Sequence, residues 1–497
     1  MYVIRSRWVA LLAVCMAGLA MPLSFTGPAI ALTAISQTLG GDPVALSWVC
    51  NAFMLGFGST LLAAGSLADR LGRRRVFLVG TALFCISSVA LSLSSSLSIF
   101  LILRVIQGVA ASMAFASGLA ALTQLYSDHE RLHAFSLIGT SFGAGLAFGP
   151  LLAGWLTDML GWPALFVCVA TIALLSFLLG RLALRHSASA ESGPADIGGA
   201  ITFTLGLCLL TLAIIQYPLL GLMSAEVLGL LLLSFLTFGL FVRIELRAQA
   251  PLLTLSLLQS GRFLGVQVLA MAPAYAFVVL LIMLPIRMVG VEGMTEVSAG
   301  QMMMAMTLPL LVLPPAAARL TNYCSPALLC ASGFLLAATG LCSLSFCPSL
   351  DGSFIVMTSL ALIGVGISLP WGLMDGLAVS VVEPEQAGMA AGIFSTCRIA
   401  GEGVALAVTG SVLVSLLNER LSFVAGESTH VTNLAVALAM GETKHVLAQL
   451  PAMSRSSLLQ LHADAWHSLL LGLAAVTCCA ATLLWLLLRE GAQNKSI

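Results

Sequence analysis

Residues 65–75 read GSLADRLGRRR and set four arginines, Arg70, Arg73, Arg74 and Arg75, between two long apolar runs. The whole chain of 497 residues holds 21 basic residues, so a cluster of this density needs a physical reason. Composition supplies the setting: 59% of the residues are hydrophobic and 8% are charged, against roughly 25% charged in a soluble domain. A hydrocarbon core of about 30 Å takes about 20 apolar residues of helix to cross. The chain is therefore read as a membrane protein with many crossings and no large soluble domain. Lipid cannot satisfy open backbone groups, and the runs are too continuous for alternating barrel strands, so each run is expected to be helical.

The apolar runs fall at 8–35, 46–67, 76–94, 98–124, 134–157, 163–184, 197–215, 225–244, 264–286, 298–317, 325–346, 353–382, 388–416 and 466–488, which makes fourteen. Lys and Arg in short loops favour the cytoplasmic side. With the amino terminus inside, Arg5, Arg7, Arg70, Arg73, Arg74, Arg75, Arg131, Arg181, Arg185, Arg243, Arg247, Arg262, Arg319, Arg489 and Lys495 all lie on that side. Arg287, Arg420, Lys444 and Arg455 lie outside, and Arg104 and Arg398 lie within runs. The asymmetry fits an even number of crossings with both termini cytoplasmic, and makes 65–75 a cytoplasmic hairpin. Arg5, Arg7 and the WVALLAVCMAGLAM that follows are read as an uncleaved first helix, not a secretory signal. The twelve cysteines fall mostly inside apolar runs without metal-like spacing and are read as packing residues.

Between the sixth and seventh runs, RHSASAESGPADIGG is small and polar, as a flexible linker is. A long outer segment at 417–465 carries Glu419, Glu427, His430, Glu442, His445 and His462 among apolar LAVALAM and VLAQL. It reads either as surface amphipathic helix or as a gate or partner surface. AARLTNY at 317–323 echoes GSLADRL at 65–71, with Leu320 on Leu67 and Asn322 on Asp69, a faint internal repeat of the kind transporters are built on.

GSLADRLGRRR resembles the loop signature of the major facilitator superfamily, Gly-x-Leu-Ala-Asp-Arg-x-Gly-Arg-Arg, matched at Gly65, Leu67, Ala68, Asp69, Arg70, Gly72, Arg73 and Arg74. Gly65 is expected to permit close helix approach, Gly72 to take a left-handed turn, and Asp69 to face a neighbouring helix amino terminus. The resemblance implies that such contacts latch the two halves on the cytoplasmic side. LRVIQGVAAS at 103–112 is similar to the family's fourth-span signature, with Arg104, Gln107 and Gly108. A buried arginine there calls for a packed, hydrogen-bonded role. GTSFGAGLAFGPLLAG at 139–154 resembles the fifth-span antiporter signature, with Gly143, Gly145, Gly149, Pro150 and Gly154; the alternative is a plain packing helix.

With its fourteen runs, SWVCNAFMLGFG at 47–58 and the long loop before the last helix, the chain is similar to the fourteen-helix drug:proton antiporter branch. The resemblance implies an all-α membrane protein of the major facilitator fold: a six-helix bundle at 1–184, a linker at 185–196, an inserted helix pair at 197–262 and a second six-helix bundle at 263–497. It also implies a multi-pass protein of the bacterial inner membrane that exports small amphipathic compounds against protons. Many relatives carry an Asp in the first span where this chain has LSFT, with Ser24 and Thr26, which weakens the case for lipophilic cations as the main cargo.

Proton coupling needs an intramembrane carboxylate. Asp375 in LPWGLMDGLAV and Glu402 in CRIAGEGVALA are the candidates, while Asp69, Glu383 and Glu385 sit at the membrane edge. Arg398 and Glu402, spaced i and i+4, share a helix face and can pair, either as a coupling element or as a static ion pair. Phe25, Trp371 and Phe394, with Ser24 and Thr26 nearby, are candidate cavity residues, and the methionines of QMMMAM at 301–306 suit adaptable binding or plain packing. Two intramembrane arginines and a net charge of zero leave an anionic or zwitterionic metabolite, such as a carboxylate siderophore, as the second reading of cargo. The lysines Lys444 and Lys495 lie outside the runs and His129, His133, His186, His430, His445, His462 and His467 are scattered, so a membrane enzyme is disfavoured. A nucleotide-binding Gly-Lys loop is missing, so direct ATP drive is disfavoured as well. The expected partners are a small molecule, protons and the bilayer, without nucleic acid, cofactor or metal, and the expected state is a monomer.

Overall fold

The computed structural model describes residues 2–126, 128–184, 196–248, 257, 259–382, 387–425, 429–451 and 453–489. Most of the expected linker, 185–195, and Glu383 and Glu385 lie outside the described residues. Among the described residues the protein is all-helical, without a strand, and thirteen helices are long and apolar enough to cross a membrane.

The elements are α1 (Tyr2–Ile30), α2 (Leu32–Leu39), α3 (Pro43–Leu71), α4 (Arg73–Ser92), α5 (Leu97–Leu125), α6 (Asp128–Leu160) and α7 (Pro163–Ala183), then α8 (Ile197–Leu220) and α9 (Ala225–Glu245). After these come α10 (Gly261–Pro273), α11 (Val279–Ile286), α12 (Glu296–Thr307), α13 (Pro309–Val312), α14 (Pro314–Leu320), α15 (Pro326–Ser345), α16 (Phe354–Ser380), α17 (Ala387–Ala425), α18 (Thr429–Ala439), α19 (Thr443–Gln449) and α20 (Arg455–Arg489). Helix starts follow the capping residues. Asp42 Oδ1 accepts from Ala45 N at 2.7 Å ahead of α3, Asp196 Oδ1 accepts from Gly199 N at 2.6 Å ahead of α8, and Ser224, Thr295 and Ser325 cap α9, α12 and α15 in the same way. Gly72, with φ of +92°, closes α3 in the left-handed region, so α4 turns back at once and the arginine hairpin forms as expected.

Two runs depart from a single helix. Gly261–Val291 continues from α10 into α11 through a π-helical stretch and ends in another, with Pro273 and Pro285 inside it. Glu296–Leu320 is three pieces, interrupted at Pro309 and Pro314, each too short to cross alone. The expected count of fourteen therefore meets thirteen long helices, because hydropathy does not register the backbone bonds that proline removes.

Helices α1–α7 pack on one another, as do α10–α17 with α20. The pair α8 and α9 is joined side by side, and α8 touches both α3 and α17 through hydrogen bonds from Thr204 to Ser59 O at 2.7 Å and from Ser411 to Ile214 O at 2.6 Å. The two sets meet along α3 against α17 and α6 against α12. The segment 417–465 is buried in part and exposed in part. Flanking helices α17 and α20 run past their apolar stretches, tied where Arg420 donates to Asp464 O and Ser468 Oγ at 3.0 Å, and α18 buries Leu434, Ala435, Val436, Ala437 and Leu438 against its neighbours.

Helix contacts inside the second set are as tight. A Cβ at Gly364 would stand 2.0 Å from Met306 O. Gly364→Ala is expected to lower stability by about 1–3 kcal/mol. Gly410→Ala, where nothing lies within 4 Å, is expected to raise it by about 0.5–1 kcal/mol through the loss of a helical glycine. Thermal unfolding in detergent separates the two.

Candidate functional site

The two helix sets are in backbone contact at the end opposite the arginine hairpin. At the end opposite the arginine hairpin, a Cβ on Gly154 would lie 2.3 Å from Glu296 O, and one on Gly300 would lie 2.7 Å from Pro150 O. Thr307 donates to Ala147 O at 3.0 Å nearby, and near mid-helix a Cβ on Gly58 would lie 2.9 Å from Ala400 Cα. These are backbone-to-backbone approaches that only glycine allows. Ser36 also donates to Glu442 Oε1 at 2.6 Å, and Thr443 to Gly290 O at 3.1 Å, so the α18–α19 corner spans both sets at this end. Toward the arginine end Gly65 of α3, Gly376 of α16 and Gly392 of α17 have nothing within 4 Å of a built Cβ, and Gly376 and Gly392 are exposed. The close approach expected at Gly65 is absent from this conformation. Asp69 pairs with Arg73 at 3.2 Å, while Arg73 donates to Ala120 O at 2.7 Å and Arg74 to Arg181 O at 3.0 Å.

The fifth-span glycines act in two directions. Gly145 and Gly149 let α1 press against α6, where built Cβ atoms would stand 2.6 Å from Leu19 O and 2.8 Å from Thr26 Oγ1, and Gly154 serves the contact with α12. Gly143 is looser, 4.0 Å from Leu310 O.

Arg104 is fully buried. It donates through Nε to Val49 O at 2.9 Å, and through Nη1 to Ser24 O and Gln107 Oε1, both at 2.8 Å, and to Ser24 Oγ at 3.2 Å. Gln107 Nε2 passes the network to Ser88 at 2.8 Å, and the guanidinium lies 4.8 Å from the Phe53 ring centroid. Arg104 thus joins α1, α3 and α5, and Gln107 carries the network on to α4. Ser24, expected in the cavity, is consumed by this network, and Thr26 returns its hydroxyl to Pro22 O at 2.8 Å.

Arg398 occupies the junction of the two sets. Its Nη1 lies 3.4 Å from Asp375 Oδ1 across the α16–α17 contact, not on Glu402 as the helix spacing suggested. The guanidinium carbon lies 5.7 Å from the Phe394 centroid and 5.9 Å from those of Trp371 and Phe142, the last from α6 of the other set. The Asp375 carboxylate is 50% exposed, while the Arg398 side chain is 8% exposed with Nε lacking a partner. Glu402 is buried and its Oε2 has no hydrogen-bond partner. Phe142 leads into a closed ring of five phenylalanines, each 5.8 to 6.5 Å from the next, through Phe25, Phe53, Phe57 and Phe115. Of these only Phe25 was expected. Phe53 and Phe57, one turn apart, were the available signal. Met303 and Met306 are buried in packing, Met306 under Gly364.

Residues 12–406 match the family model of the Major Facilitator Superfamily. The chain is 28% identical over 419 residues to the tetracenomycin C resistance and export protein of Streptomyces glaucescens, covering 84% of this chain and 78% of the relative. It is 25% identical over 480 residues to the multidrug efflux pump LfrA of Mycolicibacterium smegmatis, covering 96% and 94%. A bacterial homologue of the human lysosomal transporter Spinster, in an inward-facing and unoccupied conformation, superposes with a TM-score of 0.65 at 14% identity over 98% of both chains, which is a likeness of fold.

Arg104→Leu is expected to leave the Ser24 carbonyl, which faces Pro28 and has no i+4 N–H, and the Gln107 amide oxygen unpaired at about 1–3 kcal/mol each. The thermal midpoint in detergent should fall steeply, with Arg104→Lys intermediate.

Proposed function

The chain belongs to the major facilitator superfamily, and on that premise we propose that it is a proton-coupled exporter moving small amphipathic compounds out of the cytoplasm by alternating access. The family and the relatives are transporters and not enzymes, and the chain is a multi-pass membrane protein with bacterial relatives, in keeping with an inner membrane. Names of the relatives that speak of antibiotic resistance and multidrug efflux favour export over uptake.

In this reading the broken run Glu296–Leu320 makes the fourteenth crossing, and both termini and the arginine hairpin are cytoplasmic. The bundles are 1–184 and 263–497, with 197–262 inserted between them, and the protein works as a monomer. The arginine end is then the cytoplasmic mouth, and the glycine-lined contacts are the outer seal. When the protein turns outward, the hairpin closes the mouth, bringing the other half onto the open face around Gly65.

The observation that carries the proposal is the pair of carboxylates beside Arg398. Asp375 is half-exposed and held by one contact of 3.4 Å, and Glu402 is buried one turn further along α17 without a partner for Oε2. A carboxylate in lipid that lacks full pairing is costly as an anion and is suited to take up and release a proton as solvent access alternates. Asp69 and Arg73, by contrast, satisfy each other at the edge.

The test is transport in proteoliposomes loaded with a pH-sensitive dye. Cargo movement against an imposed proton gradient, abolished by a protonophore, is expected for the wild type. Glu402→Gln and Asp375→Asn should each be assayed as folded protein, and at least one of them should lose gradient-driven transport while retaining cargo exchange at equal pH. Transport that ignores the gradient, or that keeps its full pH dependence in both variants, contradicts proton coupling.

A further inference from the structure

Arg398 has more donors than partners. It is 8% exposed, its Nε is buried without an acceptor, and its single ion pair is 3.4 Å long, whereas a well-made charge-assisted contact is about 2.7–2.9 Å. The carboxylate on the other side of that pair is half-exposed and faces Gly139 of α6, whose built Cβ would lie 3.9 Å from Asp375 Oδ2. Three aromatic rings surround the guanidinium within 6 Å, from α6, α16 and α17, so both helix sets contribute to one cage. On the arginine side of this point Asp375 is half-exposed and Gly376 and Gly392 are exposed. A guanidinium with spare donors, rings at its sides and a replaceable carboxylate matches a planar molecule that carries an acid.

We propose that Arg398 anchors the carboxylate or phenolate of planar aromatic cargo, which displaces Asp375 from the guanidinium and stacks among Phe142, Trp371 and Phe394. This names the cargo class for the export reading and rests on it for direction, but the binding step stands by itself. The apolar body of the cargo extends from Phe142 over the ring of phenylalanines, and the acid fixes its orientation. A cationic ligand is disfavoured at this position, because the fixed guanidinium repels it and the exposed carboxylate is already paired. Glu402 is buried one turn toward the sealed end and does not meet a ligand entering from the open one.

The test is equilibrium binding to the full-length protein in detergent, by calorimetry, with three probes that share one ring system: 2-naphthoate, 2-naphthamide and 2-(aminomethyl)naphthalene. Naphthoate is expected to bind at least about tenfold tighter than the amide, the equivalent of one charge-assisted contact. Arg398→Gln should remove that preference. Asp375→Asn should tighten naphthoate binding severalfold, because the variant withdraws the competing anion, and a folding defect cannot produce a gain. Equal or weaker binding of naphthoate than of the amide or the amine overturns the proposal, as does no naphthoate binding at millimolar concentration. Unchanged or weakened naphthoate binding in a folded Asp375→Asn variant overturns it as well. No gradient enters the assay. Loss of proton-driven transport with the naphthoate preference intact sinks the export reading alone, and loss of the preference with transport intact sinks the cargo class alone.

Discussion

The contact on which the rest depends is the meeting of bare backbone between the two helix sets at one end of the molecule. Gly154 against Glu296, Gly300 against Pro150 and, near mid-helix, Gly58 against Ala400 bring main chains closer than any side chain allows. Small residues drive such packing in lipid, where no hydrophobic force separates helix from solvent. These contacts join α3 to α17 and α6 to α12, and on the arginine side of them Asp375 keeps its carboxylate half-exposed. A β-carbon at these positions would prop the sealed end apart and displace Phe142 from Arg398 with it.

Three of the described arginines are buried, Arg104, Arg287 and Arg398, and the first and last of them do different work. Arg104 faces the carbonyls of Ser24 and Val49 and the amide of Gln107, all at 2.8–2.9 Å, inside one helix set. Its task is to hold three helices in register, and its surroundings offer it no half-exposed partner to exchange. Each keeps one buried nitrogen without an acceptor, Nη2 in Arg104 and Nε in Arg398, but Arg398 lies between the sets, with a long ion pair and aromatic faces from both sides. A cation satisfied this loosely is sensitive to what enters the cavity and to how the sets are arranged, which is what alternating access requires of a binding residue.

Much of the fold was legible because membrane crossing imposes length and apolarity directly on sequence, and because glycines and arginines at fixed spacing mark helix ends. The hairpin at Gly72 and the glycine face of α6 were read this way. The segmented run 296–320 was not, although Pro309, Pro314 and Pro315 were in view, since hydropathy treats proline as one more apolar residue. Helices α17 and α20 continue past their apolar stretches because hydrogen bonds of Arg420 hold their ends together. At the site, i and i+4 spacing offered Arg398 a partner on its own helix, and tertiary packing supplied a different one on α16. Phe142 was quoted within the glycine motif, but its role depends on where α6 crosses α17, which no local pattern encodes.

The central claim is that this sealed-and-open arrangement inverts. It is tested most directly by spin-label distance measurements on a cysteine-free background. One label pair sits at the arginine end, at Leu71 and Tyr323, and another at the opposite end, at Met159 and Phe354, all exposed positions. The account predicts that the first distance shortens as the second lengthens when the sample is acidified or cargo is added. Distances that stay fixed, or that change in the same direction at both ends, contradict it.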